Sequence, residues 1–318
     1  MVGVIIGSVP LAYHYPDFPR LPADIDIIAN PMEILAFEGY NSGHLTRNIS
    51  KHPGKFRFRH DRLGQVEFED TSFIQSAETL YGLYQGYTGG TFVSIGGLRC
   101  IMAIPDHIYL MKKAHINHPA HWAKTIEDYH WLKGRMVSVV GGPVLWKPEE
   151  LSFYEQRMEE SRLRHPRLNQ TNEKFFGQSK GYVTQIYPHD AVHFATCYGG
   201  VPVYTRLKRE QRKAWCEEDI WKMWVPREQK LNCVREEAMV IALERYLLMN
   251  KTEDQALAYR WAMGKICTTL CSGWFRDFAV ENWPVLKDPT HDYVSDFSRR
   301  ISGVLSTKTW EKYYNATS

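Results

Sequence analysis

Two aspartates, Asp24 and Asp26, stand one residue apart inside the apolar run ADIDIIA. In an extended strand residues i and i+2 point to the same face. Both carboxylates then project together, about 7 Å apart, while Ile25 and Ile27 pack behind them. Two like charges held this way need neutralisation, and a divalent cation bound through hard oxygen ligands supplies it. Upstream, Gly7-Ser8 ends the apolar run VGVII. A Gly-Ser turn offers backbone N–H groups and a hydroxyl to a phosphate. The order strand, Gly-Ser turn, loop, Asp-x-Asp thus sets a phosphate seat beside a cation site.

A second polar set lies in PHDAVHFA, where His189 and His193 are one helical turn apart and Asp190 is beside them. Two histidines at i and i+4 can share a metal. Further on, Glu237 and Glu244 share a helical face with Glu236 next to them, and WFRDF adds Arg276 and Asp277. Three readings stay open for this set. One is a metal-dependent hydrolase site similar to that of HD-type phosphohydrolases, with His165 and Asp277 as further members. The others are a hydrogen-bonded network between helices and a substrate-binding role toward the aspartate site.

The elements that must position these residues follow from periodicity and punctuation. Val2–Ile6 reads as a buried strand running into the Gly7-Ser8 turn, and a proline-rich loop, YHYPDFPRLP, leads to a second strand at Asp24–Ala29. Glu33–Glu38 reads as a short helix. KFRFR and QVEFE alternate in period two and form a hairpin through HDRLG, with Glu67 and Glu69 on one face and Val66 and Phe68 on the other. Helical signals begin near Ser72, and short strands follow over 91–104 with Gly96-Gly97 as their turn. Helices are expected at 105–114, with Pro105 at the first position, and at 119–133. The segment 149–164 is charged and helical, and from Asp190 onward nearly everything reads as helix. The expected class is α+β: a mixed sheet with helices over 1–145, then a mainly α-helical domain over 146–318.

The 318 residues, 44% of them hydrophobic, suffice for a substantial core. A net charge of +3 is far from the imbalance of a histone-like binder. Six cysteines, at 100, 197, 216, 233, 267 and 271, form no CxxC pair and read as reduced core residues. The N-terminus lacks a basic n-region, and no run approaches the roughly 18 apolar residues of a membrane span. A soluble, cytoplasmic protein is expected, in the host-cell cytoplasm if it is phage-encoded.

The string IIGS…PADIDIIA resembles the signature of the DNA-polymerase-β-type nucleotidyltransferase superfamily, matching it at Gly7, Ser8, Asp24 and Asp26. HWAKTIEDYHWL, PHDAVHFA, REEAMVIALERYL and SGWFRDFAV are also similar to stretches of phage-type nucleotidyltransferase-like proteins. The loop between Ser8 and Asp24 is longer than usual in that superfamily. The resemblance implies that the Gly-Ser turn holds a nucleoside triphosphate (NTP or dNTP) and that the aspartates bind Mg²⁺ or Mn²⁺. It implies two ions, about 3.5–4 Å apart, and a third carboxylate on a later strand. Glu69 is the first choice for that carboxylate, with Glu67 next. Lys124, four residues before Asp128 on one helical face, either contacts phosphate, as in similar proteins, or forms an ion pair with Asp128. Lys112 and Lys113 read as solvated charges.

The function expected is a metal-dependent nucleotidyltransferase that moves NMP from an NTP to a hydroxyl on nucleic acid, protein or a small molecule. The alternatives are a metal-dependent nucleotide phosphohydrolase and a non-catalytic nucleotide- or partner-binding protein on the same scaffold.

Overall fold

The computed structural model describes residues 2–48, 50, 52–116, 122–140, 146–164, 218–228, 230–231, 234–235, 238, 242, 254–270 and 273–289. The chain divides into two compact units. Residues 1–116 and 127–164 form the first, and 117–126 with 165–318 form the second.

The first unit is built on a seven-stranded sheet. Its strands are β1 (Gly3–Ile6), β2 (Asp24–Ala29), β3 (Leu45–Asn48), β4 (Lys55–His60), β5 (Gly64–Asp70), β6 (Phe92–Ile95) and β7 (Leu98–Met102). The spatial order is β3-β4-β5-β2-β1-β7-β6. β2 runs antiparallel to β1 and parallel to β5, β1 runs parallel to β7, and the two outer hairpins are antiparallel. This mixed sheet with helices on both faces is the α+β class expected. β1 is an interior strand, between β2 and β7, with every residue buried, which is why VGVII is apolar without alternation.

The helices are α1 (Val9–His14), α2 (Pro31–Tyr40), α3 (Gln75–Tyr84), α4 (Pro105–Ala114), α5 (Trp122–Val140) and α6 (Pro148–Arg164). Period-two alternation splits the strands between two cores. Val4, Ile6 and Ile28 pack with Leu80 of α3, Ile108 of α4 and Phe153 of α6. On the opposite face Ile5, Ile27, Val66 and Phe68 pack with Ile34 and Phe37 of α2.

Most expected elements of this unit are present, and the differences have local causes. The proline-rich loop is preceded by a helical turn and a half, α1, since Pro10 falls in its first turn, where a missing N–H costs nothing. α2 begins two residues earlier than expected because Asn30 and Glu33 form a capping box. β3 was not foreseen; its sequence, LTRN, is polar and largely exposed and carries no alternating signal. α5 runs on through Val137–Val140, the first part of an apolar run interrupted at Gly141. The stretch 148–164, assigned from sequence to the second domain, packs on α3 and α4 of the first unit. Glu160 of α6 accepts from the Ser76 N–H at 2.9 Å and from its hydroxyl at 2.6 Å.

At the end of α2, Asn41 donates to the Gly96 carbonyl at 2.7 Å and accepts from His60 Nε2 at 3.1 Å. The His60 Nδ1 accepts from the Arg62 and Leu63 N–H groups, so the ring proton sits on Nε2. One side chain thereby ties the β4–β5 turn to the β6–β7 turn.

The described parts of the second unit are helical. They are Glu218–Trp224, Gln255–Lys265 continuing into the π-helical turn Ile266–Leu270, Gly273–Glu281 and Trp283–Leu286. Trp221 packs on Phe275 and Phe278 with ring centroids 5.3 and 5.9 Å apart, so these aromatic side chains build core. Cys100 and Cys267 are buried free thiols. No helix among the described residues is long and apolar enough to cross a membrane.

Candidate functional site

Register arranges the polar residues of the sheet in rows that cross four or five strands. Ile6 of β1 faces Asp26 of β2, which faces Glu67 of β5, then Arg57 of β4 and Asn48 of β3. The next row outward runs Asp24, Gln65, Arg59, Thr46, and the next row inward runs Val4, Ile28, Glu69, Lys55. Paired residues of neighbouring strands share a face, so each row reads as one line of side chains. Along the middle row the chemistry passes from apolar to acidic to basic to neutral polar.

Asp24 and Asp26 project together, as their spacing requires, and Ile27 is fully buried behind them. Gly7 has a positive φ of 78°, and a Cβ there would overlap Asp26 Oδ2. The turn therefore needs glycine for its backbone and for the space that the carboxylate fills. Ser8, buried at 2% exposure, precedes α1 and makes no capping bond through its side chain. Burial, followed by the charges of Asp24, Glu67 and Glu69, raises the Asp26 carboxyl to about 7 against a small opposing effect of Lys55. The electrostatic fault in ADIDIIA is thus concentrated on its second aspartate.

The two glutamates of β5 have different surroundings. Glu69 stands level with Ile28, one row inward. Its Oε1 meets Lys55 Nζ at 2.8 Å and its Oε2 meets Arg157 Nη2 at 2.5 Å. Burial alone would raise its carboxyl, but the Arg157 and Lys55 charges and hydrogen bonds overcome this and hold it far below the usual range. Arg157 is itself 1% exposed. Its Nε and Nη1 make no hydrogen bond among the described residues, and Nη1 lies 3.9 Å from Glu160. Glu67 stands level with Asp26. Its Oε1 receives Arg57 Nε at 3.1 Å and Gln65 Nε2 at 2.5 Å, and Arg57 is about half exposed. Glu69, the first choice from sequence, is thus the buried centre of a structural ion triad, while Glu67 lies beside the aspartates.

Among the described residues no three His, Cys, Asp or Glu side chains converge into a ready-made metal cage. The donor set still fits a hard divalent cation: carboxylate oxygens on adjacent strands of one face, one of them pushed toward neutrality by burial and then by its neighbours' negative charge. Asp24, Asp26 and Glu67 are the residues that would hold it.

The other candidates fall elsewhere. Lys124 is half-buried on α5, in the segment 117–126 that groups with the second unit. Asp128 is 2% exposed and accepts two bonds from Arg20, at 2.9 and 2.5 Å, and one ion pair from Lys112 at 2.8 Å. Burial raises the Asp128 carboxyl, but these two cations bring it down overall. The expectation that Lys112 and Lys113 are solvated is corrected here. Lys112 is buried in that pair, and Lys113 lies over the Tyr154 ring at 5.0 Å. His189, Asp190, His193 and Glu237, with His165, Glu236 and Glu244, lie outside the described residues. Asp277 is in the second unit with its side chain 67% exposed.

Sequence reasoning missed Lys55, Arg57 and Arg157. For the first two a signal was present: reading KFRFR antiparallel to QVEFE sets Lys55 against Glu69 and Arg57 against Glu67. Arg157 gave none, since 88 residues separate it from its partner.

No curated protein and no solved structure matches the chain. A family model does match, over a segment that begins two residues into α4 and takes in α5 and α6, including Arg157, but not the aspartate pair. That model is of a domain of unknown function, DUF7275; it covers residues 107–295, more than half of the chain, and the chain belongs to this family.

Proposed function

We propose that the protein is a Mg²⁺- or Mn²⁺-dependent nucleotidyltransferase with its centre at Gly7, Asp24, Asp26 and Glu67. The observation that carries this reading is the middle cross-strand row. It aligns Asp26 with Glu67 on one side and with the Gly7 turn on the other. A bound divalent ion supplies charge stabilisation to a nucleoside triphosphate and to the oxygen that attacks it. The residues of the chain provide the rest. Asp24, Asp26 and Glu67 present carboxylate oxygens, and Gly7 leaves room for the Asp26 carboxylate at the turn where Ser8 and the backbone meet phosphate. In the transfer the acceptor oxygen bonds to the α-phosphorus, the bond to the pyrophosphate oxygen breaks, pyrophosphate leaves with the electron pair and the acceptor proton passes to solvent.

Glu67 replaces Glu69 as the third carboxylate in this reading, because both Glu69 oxygens are occupied by cations one row away. A second reading, nucleotide binding without turnover, is favoured by one observation: Glu67 is already engaged by Arg57 and Gln65. The experiment that separates them is pyrophosphate release from mixed NTPs with Mn²⁺, run with the full chain. Asp24→Asn, Asp26→Asn and Glu67→Gln should each lower turnover about 100-fold or more. Undiminished turnover in Asp26→Asn sinks the proposal. Saturable Mn²⁺ and NTP binding without turnover in the unmodified protein favours the binding reading, and phosphate release that survives Asp26→Asn favours the hydrolase.

A further inference from the structure

The sheet face beyond Glu67 has no role in the reading above. β4 carries Arg57 and Arg59 there, and β3, the edge strand, carries Asn48 and Thr46 opposite them. All four are exposed, as is Gln65 beside Arg59. No acid of β3 or β4 shares this face, and among the described residues Arg59 has no ion-pair partner. Lys55, the third cation of the strand, is instead consumed by Glu69. Arg57 is held by Glu67 and so links the basic strip directly to the acidic cluster.

Strand order gives the strip its meaning. The sequence β1-β2-β5-β4 puts the Gly7 turn on one side of the aspartates and the arginines on the other. Adjacent strands are about 4.8 Å apart, so the strip lies about 10 Å from β2 on the side away from the turn. In-line displacement puts the attacking oxygen and the leaving pyrophosphate on opposite sides of the phosphorus, so donor and acceptor approach the site from different directions. The charge of the strip calls for an anionic acceptor. Its form, arginines two residues and about 7 Å apart on an exposed strand, with neutral hydrogen-bonding side chains alongside, suits an extended phosphodiester backbone more than a small molecule, which needs concave walls.

We infer that the exposed face at Arg57, Arg59, Asn48, Thr46 and Gln65 binds single-stranded nucleic acid and presents its end to the aspartate cluster as acceptor. The role as acceptor rests on the nucleotidyltransferase reading; the binding does not.

The test is fluorescence anisotropy of a labelled oligothymidylate of about 12 nucleotides with the full chain over a series of salt concentrations. Arg59→Gln should weaken binding at least fivefold. Arg57→Gln with Arg59→Gln should weaken it tenfold or more and lower the log–log salt slope by about 0.7 per arginine. Arg162→Gln, a charge-matched change on α6, should stay within twofold, and Asp26→Asn should still bind. The inference is overturned if the unmodified protein shows no salt-dependent binding, or if Arg59→Gln behaves like Arg162→Gln. It is also overturned if polyglutamate binds as tightly with the same Arg59 dependence, since the partner is then an acidic polypeptide. Arg59-dependent binding without pyrophosphate release would remove the catalytic reading and keep the site. Turnover that is unaffected by Arg59→Gln, on an acceptor without phosphodiesters, would keep the catalytic reading and overturn the role of this face in presenting the acceptor.

Discussion

Asp26 concentrates the cost of the site in one carboxyl. Its value near 7 means that the folded protein binds a proton there which the unfolded chain, titrating near 4, has released. The contribution of Asp26 to folded-state stability therefore falls as pH rises from about 4 to about 7 and is level above that. Asp26→Asn removes this cost. In chelator at pH 8 it should stabilise the protein, by at most 3–4 kcal/mol, and at pH 4 the gain should vanish. Urea unfolding at the two pH values checks this; equal effects at both would show that Asp26 does not bear a cost of ionisation from burial and neighbouring charge. Mn²⁺ affinity should in turn fall about tenfold per pH unit below 7, because the ion requires the proton to leave. Much at this scale was legible in the sequence. Period two fixes the common face of Asp24 and Asp26, and an apolar flank identifies their charge as uncompensated. The choice between Glu67 and Glu69 was not legible, because it depends on which residue of β5 lies level with Asp26 and on a cation from α6.

At the scale of elements, the Gly7 turn joins two requirements that usually occur apart. The backbone is left-handed, and the space a side chain would fill is taken by the Asp26 carboxylate. Gly7→Ala should cost more than the roughly 1 kcal/mol of a left-handed alanine, on the order of 2–3 kcal/mol. Part of the excess should disappear in the background of Asp26→Ala, which vacates the space. A double-mutant cycle by thermal unfolding measures that coupling, and strictly additive effects would contradict the overlap. The strands with alternating or continuous apolar residues were readable, as were helices with proline near their start. β3 was not, since an exposed edge strand of mixed polar residues is held by its neighbour β4 rather than by its own pattern.

At the scale of the molecule, α6 belongs with the sheet although its sequence is as charged as an independent surface helix. Arg157 crosses to Glu69, and Glu160 engages Ser76 at the start of α3. Arg157→Met leaves Glu69 buried with Lys55 alone and should destabilise the first unit by about 3–5 kcal/mol. Adding Glu69→Gln should recover a large part of that, since the buried charge is then gone. Chemical denaturation of the unmodified protein and the two variants decides it; a double variant no more stable than Arg157→Met would mean that Arg157 matters through packing. The charged character of 149–164 was visible in the sequence and reads as the start of the helical domain, because composition reports a helix's solvent side. Its attachment is decided by a few inward residues, Phe153 and Arg157, that composition averages away.

The distance along the chain between Glu69 and Arg157 also has a consequence in time. A chain growing at about 5–20 residues per second needs about 4–18 s to add the 88 residues between them. During that interval β1, β2, β4 and β5 can pair, but Glu69 has only Lys55 to balance it. The acidic cluster is then at its most repulsive while synthesis is still under way. Its completion waits on a helix from the segment that defines the family.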